Sequence, residues 1–181
     1  MPRRQKRYNP NIPWGLFFSD TAASVEMPTG WTHAAITLAS LATARGSLSA
    51  QYDINSKHGL ISQWWRWRAN LEYASAVTAG QITQLHIAGA DDSSSSHIDG
   101  GFAATATDLD SVAKVAQLAN CDNFGSVEGF GLTTGIVSSG LVRIMDRYIS
   151  LGINNASGVA MASGAGVSWI KMWPVPEIET P

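Results

Sequence analysis

Residues 64–73 read Trp-Trp-Arg-Trp-Arg-Ala-Asn-Leu-Glu-Tyr, an alternation that a helix would scatter around its axis. On a strand, Trp65, Trp67, Ala69, Leu71 and Tyr73 share one face, while Trp64, Arg66, Arg68, Asn70 and Glu72 share the other. After the turn residues Thr78-Ala79-Gly80 the alternation resumes, with Thr83, Leu85 and Ile87 set against Gln84 and His86. The short, glycine-bearing connection predicts that the two arms pair as an antiparallel hairpin. Burying two indoles and a phenol on one strand is worth about 2–3 kcal/mol per side chain. A one-residue slip would turn Arg66 and Arg68 into the core, so the register is strongly specified.

Seven tryptophans and a full set of aliphatic residues exclude a disordered chain, and 181 residues fit one domain with extensions. Charged residues make up only 14% of the chain, which suits a turn-rich β protein or one whose surface is partly covered by neighbours. No apolar run reaches the roughly 18–20 residues that span a bilayer, and no signal peptide is expected behind the basic start. Cys121 is the single cysteine, so an intrachain disulfide is excluded and packing must hold the fold. Arg3, Arg4, Lys6 and Arg7 are four of the twelve positive side chains in a chain of net charge −2. A basic arm on a mildly acidic body suits an acidic protein partner, nucleic acid or an anionic surface, or is simply solvated.

Pro2, Pro10, Pro13 and Pro28 punctuate an aperiodic start, read as an extended arm over residues 1–30, with Trp14, Leu16, Phe17 and Phe18 as apolar anchors. Leu48, Ala50, Tyr52 and Ile54 alternate as a strand before the loop at Asn55–Gly59. Gly89–Gly101 is a long polar loop, and Asp108–Ser111 opens a short helix with an Asp cap. The glycine-rich runs at Gly135–Gly140 and Ser163–Gly166 read as hairpin turns, and Asn155-Ala156-Ser157 as a turn rather than a glycosylation acceptor. Further alternation marks strands at Ile149–Ile153 and Val167–Trp173. About eight short strands without a sustained helix predict an all-β, antiparallel β-sandwich, jelly-roll-like or immunoglobulin-like. The lack of a Cys pair weighs against the immunoglobulin form.

From Trp31 onward the order of motifs resembles a family of small tailed-bacteriophage virion proteins with a jelly-roll fold. The resemblance rests on the strands at Ala44–Asp53 and Arg68–Tyr73, and on Thr78-Ala79-Gly80 before Leu85. It continues through Arg147–Gly158 and closes with Trp169–Glu177, while residues 102–130 depart from it. It implies a jelly-roll body over 31–176, a short tail over 177–181, and a structural role on the head or near the tail. It implies no catalytic residues and no cofactor.

Asp91, Asp92, His97 and Asp99 are the one acidic cluster with a histidine, but their spacing matches no calcium loop, and a solvated loop is expected instead of a metal site. The four histidines are dispersed, no nucleophile elbow is present, and no enzyme is expected. Trp64, Arg66 and Arg68 form the outward face of the central strand, suited to a neighbouring subunit or, as the alternative, to a sugar. The resulting expectation is a virion structural protein, a capsid decoration or cement protein assembled in the host cytoplasm. It would form a homo-oligomer and bind the major capsid protein or other virion subunits through Arg3, Arg4, Lys6, Arg7, Trp14, Leu16, Phe17, Phe18, Trp64, Arg66 and Arg68, without membrane or nucleic acid. The alternative is a carbohydrate-binding module of a fibre or tail tip that recognises host glycans.

Overall fold

The structure, a computed structural model, describes residues 14–22, 26–54, 63–90, 92–93, 98–102, 107–131, 133 and 136–175. Among them eleven strands follow one another: β1 (Leu16–Ser19), β2 (Thr32–Ala35), β3 (Arg45–Leu48), β4 (Tyr52–Asp53), β5 (Trp64–Leu71), β6 (Ile82–Ala90), β7 (Thr107–Leu109), β8 (Asp122–Glu128), β9 (Ile136–Arg143), β10 (Tyr148–Ala156) and β11 (Trp169–Pro174). One sheet has the order β2-β1-β11-β5-β9 and the other β7-β3-β10-β6-β8. The antiparallel partners are nested: β1 with β11, β3 with β10, β5 with β9, β6 with β8. That nesting is a chain folded once on itself and then rolled, the jelly roll, and the fold is an all-β sandwich of this type.

The core lies between the sheets. Trp65, Trp67, Ala69 and Leu71 from β5 meet Leu85 and Ile87 from β6, with Leu151 and Ile153 from β10 beside them. The alternation in β5 is as the residues dictate: its inward positions are buried, and Trp64, Arg66 and Arg68 are exposed. The expected hairpin is corrected. β5 and β6 lie in opposite sheets, so their apolar faces oppose each other across the core rather than lie side by side. Tyr73 first bridges Met161, the turn closes with Gln81 N–H donating to Thr78 C=O (3.1 Å), and the chain crosses to the second sheet. Two inward indoles need an opposing apolar layer, and a lone hairpin offers none.

The expected arm over 1–30 is also corrected. Leu16, Phe17 and Phe18 form strand β1 inside the first sheet, parallel to β2 and antiparallel to β11, and all are at 0% exposure. A short apolar run buried on both faces shows no alternation, which is why the residues did not announce a strand. The sandwich therefore begins before residue 31, and Arg3, Arg4, Lys6 and Arg7 lie outside the described residues. Residues 177–181 do so as well.

The stretch expected as one strand from Leu48 to Ile54 is broken into β3 and β4. Ser49 Oγ accepts from Leu151 N–H at 2.9 Å, so a side chain takes the place of a backbone partner, and the register along β10 shifts by one residue between the Leu48–Gly152 and Tyr52–Ile149 pairs. The connection from β6 to β8 lies against the outer face of the second sheet. Ile98, Phe102, Leu109 and Leu118 pack there on Leu48, Ala88 and Ala90 as a second, smaller core. The α-helix among its described residues, α1 (Val112–Ala116), is capped by Ser111, whose Oγ accepts from Lys114 N–H at 3.3 Å; Asp108 is not the cap but lies in β7.

His86 is buried in this second layer, and its ring nitrogens lie near the backbone of Cys121 and Leu118 without a well-formed hydrogen bond among the described residues. Burial holds its pKa below the ordinary 6.5, and the backbone near Cys121 and Leu118 opposes only part of that. The unfolded chain therefore binds a proton more readily than the folded one. The stability contribution is present above pH 6.5 and is lost as pH falls through the depressed folded value. Urea denaturation at about pH 7.5 and about pH 5.5 should show wild type losing more stability than His86→Leu over that interval. Equal losses would remove His86 as the cause.

Candidate functional site

The outer face of the five-stranded sheet is assembled by register. Arg66 stands between Trp173 on β11 and Leu141 on β9, Arg68 between Lys171 and Ser139, and Asn70 between Trp169 and Val137. These rows enclose an open groove of about 570 Å³ walled by Arg66, Arg68, Trp173, Val137, Ser139 and Leu141, with Gly140 and Trp67 at its base. Gly140 is needed there, because a Cβ at that position would lie 2.7 Å from Trp67 Nε1.

Half of this face is covered. Phe17 and Trp169 stack at 6.2 Å, and Lys171 Nζ sits 4.1 Å from the Trp169 ring centroid and 3.4 Å from Glu26 Oε2. Trp31 leans on Trp173 at 5.9 Å. These contacts lay Glu26 and Trp31 over one side of the sheet and leave the β5–β9 side open among the described residues. On that side Trp64 is 46% exposed, Val137 46% and Leu141 55%.

The open half is cationic. Neither Arg66 nor Arg68 has a carboxylate partner among the described residues, and no carboxylate lines the groove. Arg143, at the end of β9, donates two hydrogen bonds to Gln63 Oε1 (2.8 and 3.2 Å). Two unneutralised guanidiniums beside exposed apolar side chains can grip a carboxylate-bearing, partly apolar partner by bidentate hydrogen bonds and stacking.

Of the residues expected to bind, the structure brings Trp64, Arg66 and Arg68 together on this face. It places Leu16, Phe17 and Phe18 in the chain's own interior, where they offer a neighbour no surface. Trp14 is half-buried edge-on against Trp65, with centroids 5.4 Å apart. The run expected as a turn from Gly135 to Gly140 is corrected from Ile136 onward: it is the first half of β9 and supplies Val137 and Ser139 to the groove. Trp173 belonged to a stretch whose alternation was legible, but its place beside Arg66 depends on the β5–β11 register.

Elsewhere the chemistry is quiet. Among the described residues no cluster of three or more His, Cys, Asp or Glu could hold a metal ion, and Asp91 and His97 lie outside them. Asp99 instead accepts from Gly89 N–H at 3.1 Å. Burial, helped by Asp99 and Asp122, pushes the Cys121 thiol up to about 12, which keeps it out of the thiolate form near neutral pH. No helix of the described residues is long and apolar enough to cross a membrane. No protein-family model matches the chain, and no curated protein matches it in sequence.

Proposed function

We propose that the protein is a structural component of a tailed-bacteriophage virion, a capsid decoration or cement protein that forms a homo-oligomer and binds neighbouring capsid or tail subunits. It works by adhesion rather than catalysis, and its place is the virion assembled in the host cytoplasm. The observation that carries this reading is the open half of the five-stranded sheet, where Trp64, Val137 and Leu141 stay exposed around Arg66 and Arg68, which have no carboxylate partner among the described residues. Exposed apolar groups gathered on one face mark an interaction surface, and guanidiniums supply its orientation. The jelly roll is the fold that the family resemblance implies.

The test is incorporation of variants into particles that lack the native protein. The double substitution Arg66→Glu and Arg68→Glu touches exposed side chains only, so the fold should survive while incorporation falls roughly tenfold or more. Removing residues 1–13, which spares β1, measures the contribution of the basic arm; removing 1–30 would delete a strand of the sheet. Incorporation at wild-type level by both variants would overturn the proposal.

The second reading, a glycan-binding module, is favoured by one feature: Trp173 and exposed Trp64 stand beside the two guanidiniums, as a sugar platform requires. Binding of the purified chain to host surface polysaccharide, abolished by Trp64→Ala, would support that reading over adhesion to protein.

A further inference from the structure

Among the described residues the two sheets end in five edge strands, counting β4 beside β10, and four of them are protected. β2 has four residues, β7 three and β4 two, too short to template another chain. β8 carries exposed Asp122 and Glu128 and is bulged where Leu85 pairs with Gly125 but His86 pairs with Asn123, leaving Phe124 extra. β9 is different. It runs eight residues without a proline or a bulge, and its backbone bonds only to β5 among the described residues. Its other side has no strand partner among the described residues, and Val137 and Leu141 are exposed beside it.

The sequence of this edge matches its own reverse. Ile136-Val137-Ser138-Ser139-Gly140-Leu141-Val142, laid antiparallel on a second copy about Ser139, sets Ile136 against Val142, Val137 against Leu141, Ser138 against Gly140, and Ser139 against itself. Large apolar residues meet large apolar residues on both faces, and small meet small in the middle. A shift of the centre to Gly140 would put Val137 opposite Arg143 and Ser139 opposite Leu141. Charge agrees with the same register. Arg68 lies in the row of Ser139, so the two copies' Arg68 residues end three strand spacings apart, roughly 14 Å, beyond the screening length of about 8–10 Å at moderate salt.

We propose that β9 pairs with β9 of a second copy about a two-fold axis through Ser139, joining the two five-stranded sheets into one. This rests on the assembly reading above and names the strand and register by which the chain meets itself. Such a contact is isologous and closes at a dimer. It also satisfies the open ladder and covers Val137 and Leu141 in both copies, while the second copy's Val137 stands beside Leu141 at the rim of the groove.

Sedimentation velocity on the full chain tests it. Wild type should be a concentration-dependent dimer. Val137→Lys and Leu141→Lys, each at an exposed position, should keep the wild-type circular dichroism spectrum and weaken the dimer roughly tenfold or more. A Ser139→Cys chain in a Cys121→Ser background should be captured as a covalent dimer by a short bis-maleimide, whereas Asp110→Cys in the same background should not. A wild-type monomer at every concentration, or lysine variants that dimerise like wild type, would overturn the pairing. A monomer would also remove self-association from the assembly reading, whereas binding to other virion subunits through Arg66 and Arg68 is decided separately by particle incorporation.

Discussion

Trp67→Ala is expected to lower the unfolding free energy by about 3–5 kcal/mol, with the upper half of that range favoured by the way the indole is held. The side chain is 3% exposed and stands edge-on to Phe124, with centroids 5.5 Å apart. Gly140 on the neighbouring strand and Gly125 in the opposite sheet lie directly against the ring, and a Cβ at either position would collide with it. Two glycines cannot swing side chains into the space that alanine would leave, so the cavity would stay open. The indole Nε1 has no hydrogen-bond partner among the described residues, so the loss is one of packing alone. Trp67→Phe should therefore cost markedly less than Trp67→Ala. Gly125→Ala, which forces the collision instead of the cavity, should cost about 1–3 kcal/mol. Urea denaturation of the three variants against wild type measures all of these; a loss below about 1 kcal/mol for Trp67→Ala would contradict the packing described.

That residue also shows what the chain discloses by itself. One face of β5 is apolar and the other charged, so a local pattern of period two was enough to sort Trp65 and Trp67 from Arg66 and Arg68. The same pattern is silent about partners. β5 and β6 would show identical alternation whether they paired edge to edge or faced each other across a core. The jelly roll chose the second because β9 and β11 occupy both edges of β5. β1 escaped notice because both of its faces are covered, Leu16 and Phe18 by the core and Phe17 by Trp169 and Lys171. β9 escaped because Ser138, Ser139 and Gly140 imitate a turn, although they sit in a strand whose close approach to Trp67 needs a small residue. The groove is assembled from three strands far apart in sequence, so only the share contributed by β5 could be read from a single stretch.

Asn155→Ala should be comparably severe, at about 3–5 kcal/mol, for a reason that has little to do with volume. Asn155 is fully buried at the end of β10. Its Nδ2 donates to Leu41 C=O and Val159 C=O, both at 2.9 Å, and its Oδ1 accepts from Ser157 Oγ (2.6 Å), Ser157 N–H (3.2 Å) and Thr83 Oγ1 (3.3 Å). Thr83 Oγ1 also lies 2.7 Å from the Tyr73 hydroxyl, whose pKa burial raises while the threonine contact partly offsets it. One amide therefore ties the connection after β2, the turn after β10 and the start of β6 to one point. Alanine would strand several buried donors and acceptors at once, each costing about 1–3 kcal/mol unless water enters. Asn155→Asp makes the sharper test, because it keeps the acceptor and replaces the donor by an anionic oxygen aimed at two carbonyls. It should destabilise at least as much as alanine at neutral pH and recover part of the loss as acidification protonates the carboxyl group. Tyr73→Phe, which removes only the outermost hydroxyl, should cost about 1 kcal/mol. If denaturation shows Asn155→Ala no worse than Tyr73→Phe, the amide is not the tie between these loops, and the apolar contacts of Leu41, Val159 and Met161 hold that end of the sandwich instead.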